Sequence, residues 1–163
     1  MNYLRISKYN PNYRNKLGHY CKDEWTEYNQ INKYFDSPKK AYREYLKIEE
    51  KYISTIELFI RFYDCSEIYI TNKEFKSRLE LQSKESARFL DVYDKLRKIK
   101  KVKIEELSDI IALTLRGYFW SVLTNDTNSI KVEFGYDFYI YLYSDKFHPD
   151  LIKGIEKIGL FIE

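Results

Sequence analysis

Two histidines and two cysteines are the scarcest chemical side chains in this 163-residue chain. His19, Cys21 and Asp23 fall at alternate positions. On a strand they would share one face and offer a metal a nitrogen, a sulfur and an oxygen. No second Cys or His pair completes a tetrahedral set, so no metal is expected. Either histidine, His19 or His148, could act as base to Cys21 or Cys65, because such pairs meet in space rather than in sequence. Cys65 lies between a helical and a strand-like pattern and reads first as a structural thiol. The sequence contains no glycine-rich phosphate loop, His-Glu-x-x-His helix, Gly-x-Ser-x-Gly elbow or paired-carboxylate motif. Catalysis thus has no sequence argument and no cofactor is expected; the chain reads as a binder rather than an enzyme, with a small hydrolase or nuclease using His19 or His148 as an alternative.

Binding chemistry is better represented. Asp23 and Glu24 set two carboxylates beside the aromatic Trp25, a combination suited to a basic partner. The alternative is that Trp25 packs on a sheet while Asp23 pairs with Arg14 or caps a turn. Tyr136 and Asp137 stand at a turn signal and could form a binding corner. Tyr139, Tyr141 and Tyr143 alternate, so they form either an exposed binding face or a covered sheet face. Five cations, Arg97, Lys98, Lys100, Lys101 and Lys103, crowd into seven positions. They could meet phosphates, but cations also gather at helix C-termini, where they offset the macrodipole. The overall charge of +3 comes from this region, since residues 72–106 hold 11 basic and 7 acidic side chains. The pI of 8.6 is below that of a dedicated nucleic-acid binder, so a nucleic-acid partner is the secondary reading.

Residues 3–9 read as a strand with Leu4 and Ile6 on one face, followed by a long polar and aromatic segment, 10–37. A connection that long inside a compact domain is usually functional or partly structured. Ser37 as N-cap and Pro38 at the first helical position predict a helix start. From there Ala41, Tyr45, Ile48, Tyr52, Ile56, Phe59 and Tyr63 recur every three or four residues, forming the main apolar stripe. Residues 67–71 read as a strand, 83–99 as a polar helix, and 104–123 as a helix apolar nearly all round. In that last helix, Arg116 would need a carboxylate or carbonyl partner. Ile130, Val132 and Phe134, then Phe138, Ile140 and Leu142, alternate as a hairpin. A short helix at 149–157 and an edge strand at 159–162 close the pattern. The expected architecture is α+β: one domain over 1–163, with an antiparallel sheet of three to five strands covered by three or four helices.

Hydrophobic residues make up 44% and aromatics 18% of the chain, enough for one sizeable core. No apolar run is long enough to cross a membrane, and the first residues lack a signal-peptide pattern. Two cysteines build no disulfide framework, so reduced thiols in a cytoplasm are the expectation.

The segment Lys8-Tyr9-Asn10-Pro11-Asn12-Tyr13-Arg14, then Gly18, Tyr20 and Lys22-Asp23-Glu24-Trp25-Thr26, resembles the opening of a family of small bacterial proteins. Glu44–Glu49, Leu115-Arg116 with Trp120, Phe134–Tyr139 and Gly159–Glu163 extend the likeness, which is thin over 72–106. The chain departs from it after the tryptophan, at Glu27-Tyr28-Asn29-Gln30-Ile31. That family looks like the immunity proteins that accompany polymorphic and contact-dependent toxins. The resemblance implies a cytoplasmic neutraliser that binds a cognate toxin domain, such as a nuclease, and occludes its active site. The residues placed at that interface are Arg14, Asp23, Glu24, Trp25, Tyr136, Asp137, Tyr139 and Tyr141.

Overall fold

A computed structural model describes residues 1–163. The elements in chain order are β1 (Asn2–Ser7), α1 (Pro38–Phe62), β2 (Glu67–Phe75), α2 (Arg78–Lys84), α3 (Ala87–Leu96), β3 (Lys101–Lys103), α4 (Leu107–Leu115), β4 (Phe119–Thr124), β5 (Ile130–Phe134), β6 (Ile140–Ser144), α5 (Pro149–Ile158) and β7 (Phe161–Ile162). Short 3-10 turns lie at Pro11–Tyr13, Tyr28–Lys33 and Ile104–Glu106. The fold is α+β, with one seven-stranded sheet in the order β3-β2-β4-β5-β6-β1-β7. Every neighbouring pair in it is antiparallel. Three to five strands and three or four helices are therefore too few: there are seven strands and five α-helices. No helix is long and apolar enough to cross a membrane.

The extra strand in the middle of the sheet comes from the 104–123 run. It does not continue as one helix, because Gly117 has φ +83 and turns the chain back. The Gly117 N–H reaches the Thr114 carbonyl and the Tyr118 N–H reaches that of Leu113, both at 3.0 Å. This paired closure of the last helical carbonyls depends on a glycine in the left-handed region. Phe119–Thr124, rich in aromatic and β-branched residues, then pairs with β2 and β5. The polar helix expected over 83–99 is α3 alone, 87–96, and a further helix, α2, precedes it. The Ser77 hydroxyl caps α2 by accepting from the Glu80 N–H, and the chain turns at Glu85-Ser86 before α3 begins.

The predicted α1 start holds: Ser37 accepts from the Lys40 N–H, and Pro38 stands at the first position. Tyr45, Tyr52, Ile56 and Phe59 from its stripe are fully buried. They belong to the same core as Ile6, Ile68, Ile70, Leu123, Ile130, Val132, Ile140 and Leu142, the inward alternation of the strands. The outward alternation stays half-exposed at Lys131, Glu133, Tyr141 and Tyr143, while Tyr3 beside them is 58% exposed.

The β5–β6 connection is longer than the alternation suggests, because Phe138 belongs to the turn and not to β6. Asp137 (φ 55) and Phe138 (φ 63) are the central residues of a turn closed by the Tyr139 N–H on the Tyr136 carbonyl. Two consecutive positive φ values match the twist of a hairpin, but they are unfavourable for a residue as bulky as Phe. Burial compensates. The Phe138 ring packs edge-on against Trp25 and Tyr52, and the Tyr52 hydroxyl donates to its carbonyl.

Candidate functional site: an aromatic cleft beside the hairpin turn

The chief concavity is a cleft of about 690 Å³ between the 26–32 turn, the first turns of α1, α2, the α4–β4 corner and the β5–β6 turn. That volume lies within the usual range of binding sites. Three elements meet at its floor through Arg116. Its Nε and one terminal nitrogen donate to the two oxygens of Glu49 on α1, at 2.8 and 2.7 Å. The other terminal nitrogen donates to Glu85, between α2 and α3, at 2.7 Å. All three side chains are at most 6% exposed. Burial alone would drive Arg116 toward neutrality, but the bonds and charge of Glu49, supported by Glu85, outweigh it and lift its pKa above the ordinary value. The carboxylate partner that Arg116 required is therefore present twice.

Glu85 also accepts from the hydroxyls of Tyr28 (2.9 Å) and Tyr118 (3.3 Å). Burial, followed by Glu85, raises both phenol pKa values, so both hydroxyls remain protonated donors. Trp120, half-buried in the cleft wall, donates its indole N–H to the Phe134 carbonyl at 2.8 Å. At the mouth stand Tyr42, 41% exposed, and Tyr136, 93% exposed.

The sequence-derived interface residues separate into two groups. Tyr136, Asp137 and Tyr139 border the cleft. Arg14, Asp23, Glu24, Trp25 and Tyr141 do not. Trp25 is 6% exposed and packs against Tyr45 and Phe138, so it is a core residue and not a surface anchor. Its ring lies under the Lys8 ammonium at 4.0 Å, and Lys8 in turn pairs with Glu24 at 2.7 Å. Glu24 also accepts from Tyr20, whose phenol is pushed up to about 12 by burial and then by that bond. Asp23 takes the Tyr34 hydroxyl and not Arg14. Arg14 pairs instead with Glu163 and donates to the Tyr139 hydroxyl, both at 2.7 Å. Tyr141 lies on the outer sheet face, 5.8 Å from the Tyr3 ring. The 10–37 segment thus spends its polar groups holding itself against the sheet, and only its 26–32 end reaches the cleft.

The chemical alternatives are equally well placed. His148 caps α5, its Nδ1 accepting from the Asp150 N–H, and packs on Phe62. His19 and Cys21 are exposed, and no three His, Cys, Asp or Glu side chains gather as a metal site would require. Burial raises the Cys65 thiol pKa, in keeping with a structural role. In the basic cluster, Arg97 lies 4.2 Å over the Phe75 ring and Lys101 pairs with Glu67. Lys98, Lys100 and Lys103 are exposed, and none of the five borders the cleft.

Glu49, Glu85, Tyr28, Tyr42 and Tyr118 carry no local sequence signal that marks them as site residues. Only Gly117, a helix-stop signal in an apolar run, could have revealed the corner that brings Arg116 and Tyr118 together. No protein-family model, curated protein or solved structure matches the chain.

Proposed function

We propose that the chain is a binding domain that neutralises a cognate bacterial toxin domain in the cytoplasm by seating it over this cleft and covering the toxin's active site. One observation carries the reading: Tyr136, 93% exposed, stands at the mouth of the cleft on a turn whose other side is fixed in the core. Phe138 anchors that turn, so Tyr136 is presented without a large ordering cost on binding. A tyrosine projecting from a rigid turn beside a concave aromatic surface has the make-up of an interface hot spot. The immunity role comes from the family resemblance of the sequence, and the cleft supplies a surface for it. The role requires occlusion only, not chemistry.

The test mixes the purified chain with the toxin domain encoded beside its gene and measures the complex by calorimetry. The expected result is nanomolar binding that Tyr136→Ala weakens by about 30-fold or more, corresponding to a hot-spot loss of about 2 kcal/mol. Tyr3→Ala, on the outer sheet face, should leave binding unchanged. Absence of a complex, or equal losses for the two variants, would refute the reading.

A further inference from the structure

We infer that the cleft receives a cationic side chain, an arginine or lysine presented by the bound protein; this rests on the cleft being the working surface. The charge at the site runs against that of the molecule. The chain carries +3 overall, yet Glu27, Glu80 and Asp137 line the cleft, and the buried Glu49 and Glu85 hold the Arg116 that lines it. Against these five carboxylates stand three cations, Lys76, Lys84 and Arg116. Lys84 is already held by Glu80 at 2.7 Å, and Lys76 leans on Glu74 outside the cleft at 3.5 Å.

The deficit is sharpest at the floor. Glu49 and Glu85 share a single guanidinium, and the other donors to Glu85, Tyr28 and Tyr118, are neutral. Two buried carboxylates therefore bond to one cation, in surroundings that strengthen electrostatic interactions. The rings of Tyr28, Tyr42, Tyr118, Trp120 and Tyr136 line the same cleft as Arg116. Aromatic faces backed by a carboxylate attract a desolvated cation, and arginine most of all.

The same chain uses this chemistry internally. The Lys8 ammonium, 4% exposed, lies over the Trp25 and Tyr9 rings at 4.0 and 4.3 Å with Glu24 beside it. Arg116 lies 4.6 Å from the Phe89 ring centre and 5.4 Å from that of Tyr28. The cleft sets carboxylates and aromatic faces around Arg116 in the same way, and with more carboxylates than cations it is the electrostatic complement of a basic partner.

The experiment titrates the intact protein with acetyl-Gly-Arg-Gly-amide and with the same peptide carrying citrulline, a neutral isostere. The Trp120 indole N–H signal is followed by NMR, with the buried Trp25 indole as internal reference. The expected result is a saturable Trp120 shift at millimolar arginine peptide, at least tenfold weaker binding of the citrulline peptide, and weakening by added salt. The double variant Glu27→Gln/Glu80→Gln, at exposed positions that leave the core intact, should weaken the arginine peptide at least threefold and leave the citrulline peptide unchanged. Absence of saturation, equal affinity for the two peptides, or an unaffected double variant would overturn the inference. A Tyr136-dependent toxin complex without arginine preference would remove this inference and keep the binding reading. Arginine preference without a toxin complex would do the reverse.

Discussion

Replacing Arg116 with Met tests the corner on which the cleft is built. The substitution keeps most of the side-chain volume but strands Glu49 and Glu85, each at most 6% exposed, without their shared cation. Three charge-assisted bonds of 2.7–2.8 Å disappear together. Glu49 loses two of them, whereas Glu85 keeps the tyrosine hydroxyls. Breaking a buried pair from one side costs about 3–5 kcal/mol, a large share of a typical stability of about 5–15 kcal/mol. With a urea slope of about 2 kcal/mol/M, the midpoint should fall by about 2 M at an unchanged slope. Adding Glu49→Leu removes the stranded carboxylate as well. Replacing both charged partners by apolar groups is often close to neutral, so the double variant Arg116→Met/Glu49→Leu should recover about half the loss. A single-variant loss below about 1 kcal/mol, typical of a surface ion pair, would refute the reasoning. So would a double variant less stable than the single one.

Gly117→Ala should cost about 1–2 kcal/mol in urea unfolding: nothing lies within 4 Å of the added methyl, so the whole loss comes from forcing an L side chain to φ +83. Glu163 is pushed toward higher pKa by burial, but donation from Arg14 and Ser7 and the charges of Arg14 and Arg5 outweigh this and leave it below its ordinary 4.5. A carboxylate with a depressed folded-state pKa contributes stability that is fully present above its unfolded value and lost as pH falls through the folded one. Melting temperature should accordingly drop below about pH 4.5, and Glu163→Gln should flatten that part of the profile; an identical acid slope in the variant would contradict this.

Much of the fold was legible because its signals are local. Ser37-Pro38 and the three-four spacing from Ala41 onward place α1, and the alternation of Ile130, Val132 and Phe134 places β5. The middle of the sheet was hidden because Leu107–Leu123 is apolar throughout, and periodicity cannot separate a buried helix from a buried strand there. Gly117 makes the division, through a backbone angle that carries little weight in a count of apolar residues. The site was legible only in part, for a different reason. Tyr136 and Asp137 announce a turn, whereas Arg116, Glu49 and Glu85 are separated by 31 and 67 positions and are joined only by tertiary packing. Trp25 misleads because its neighbours Asp23 and Glu24 are polar, yet its ring is drawn inward by Tyr45, Phe138 and the Lys8 ammonium.

The proposal that the chain binds a toxin domain through its cleft is tested most directly by hydrogen exchange of the chain, free and saturated with a toxin domain, should its neighbouring gene encode one. New protection is expected in the 26–42, 76–84 and 134–139 segments that frame the cleft. Protection confined to the outer sheet face around Tyr3, Tyr69, Tyr141 and Tyr143, with the cleft segments unchanged, would contradict it.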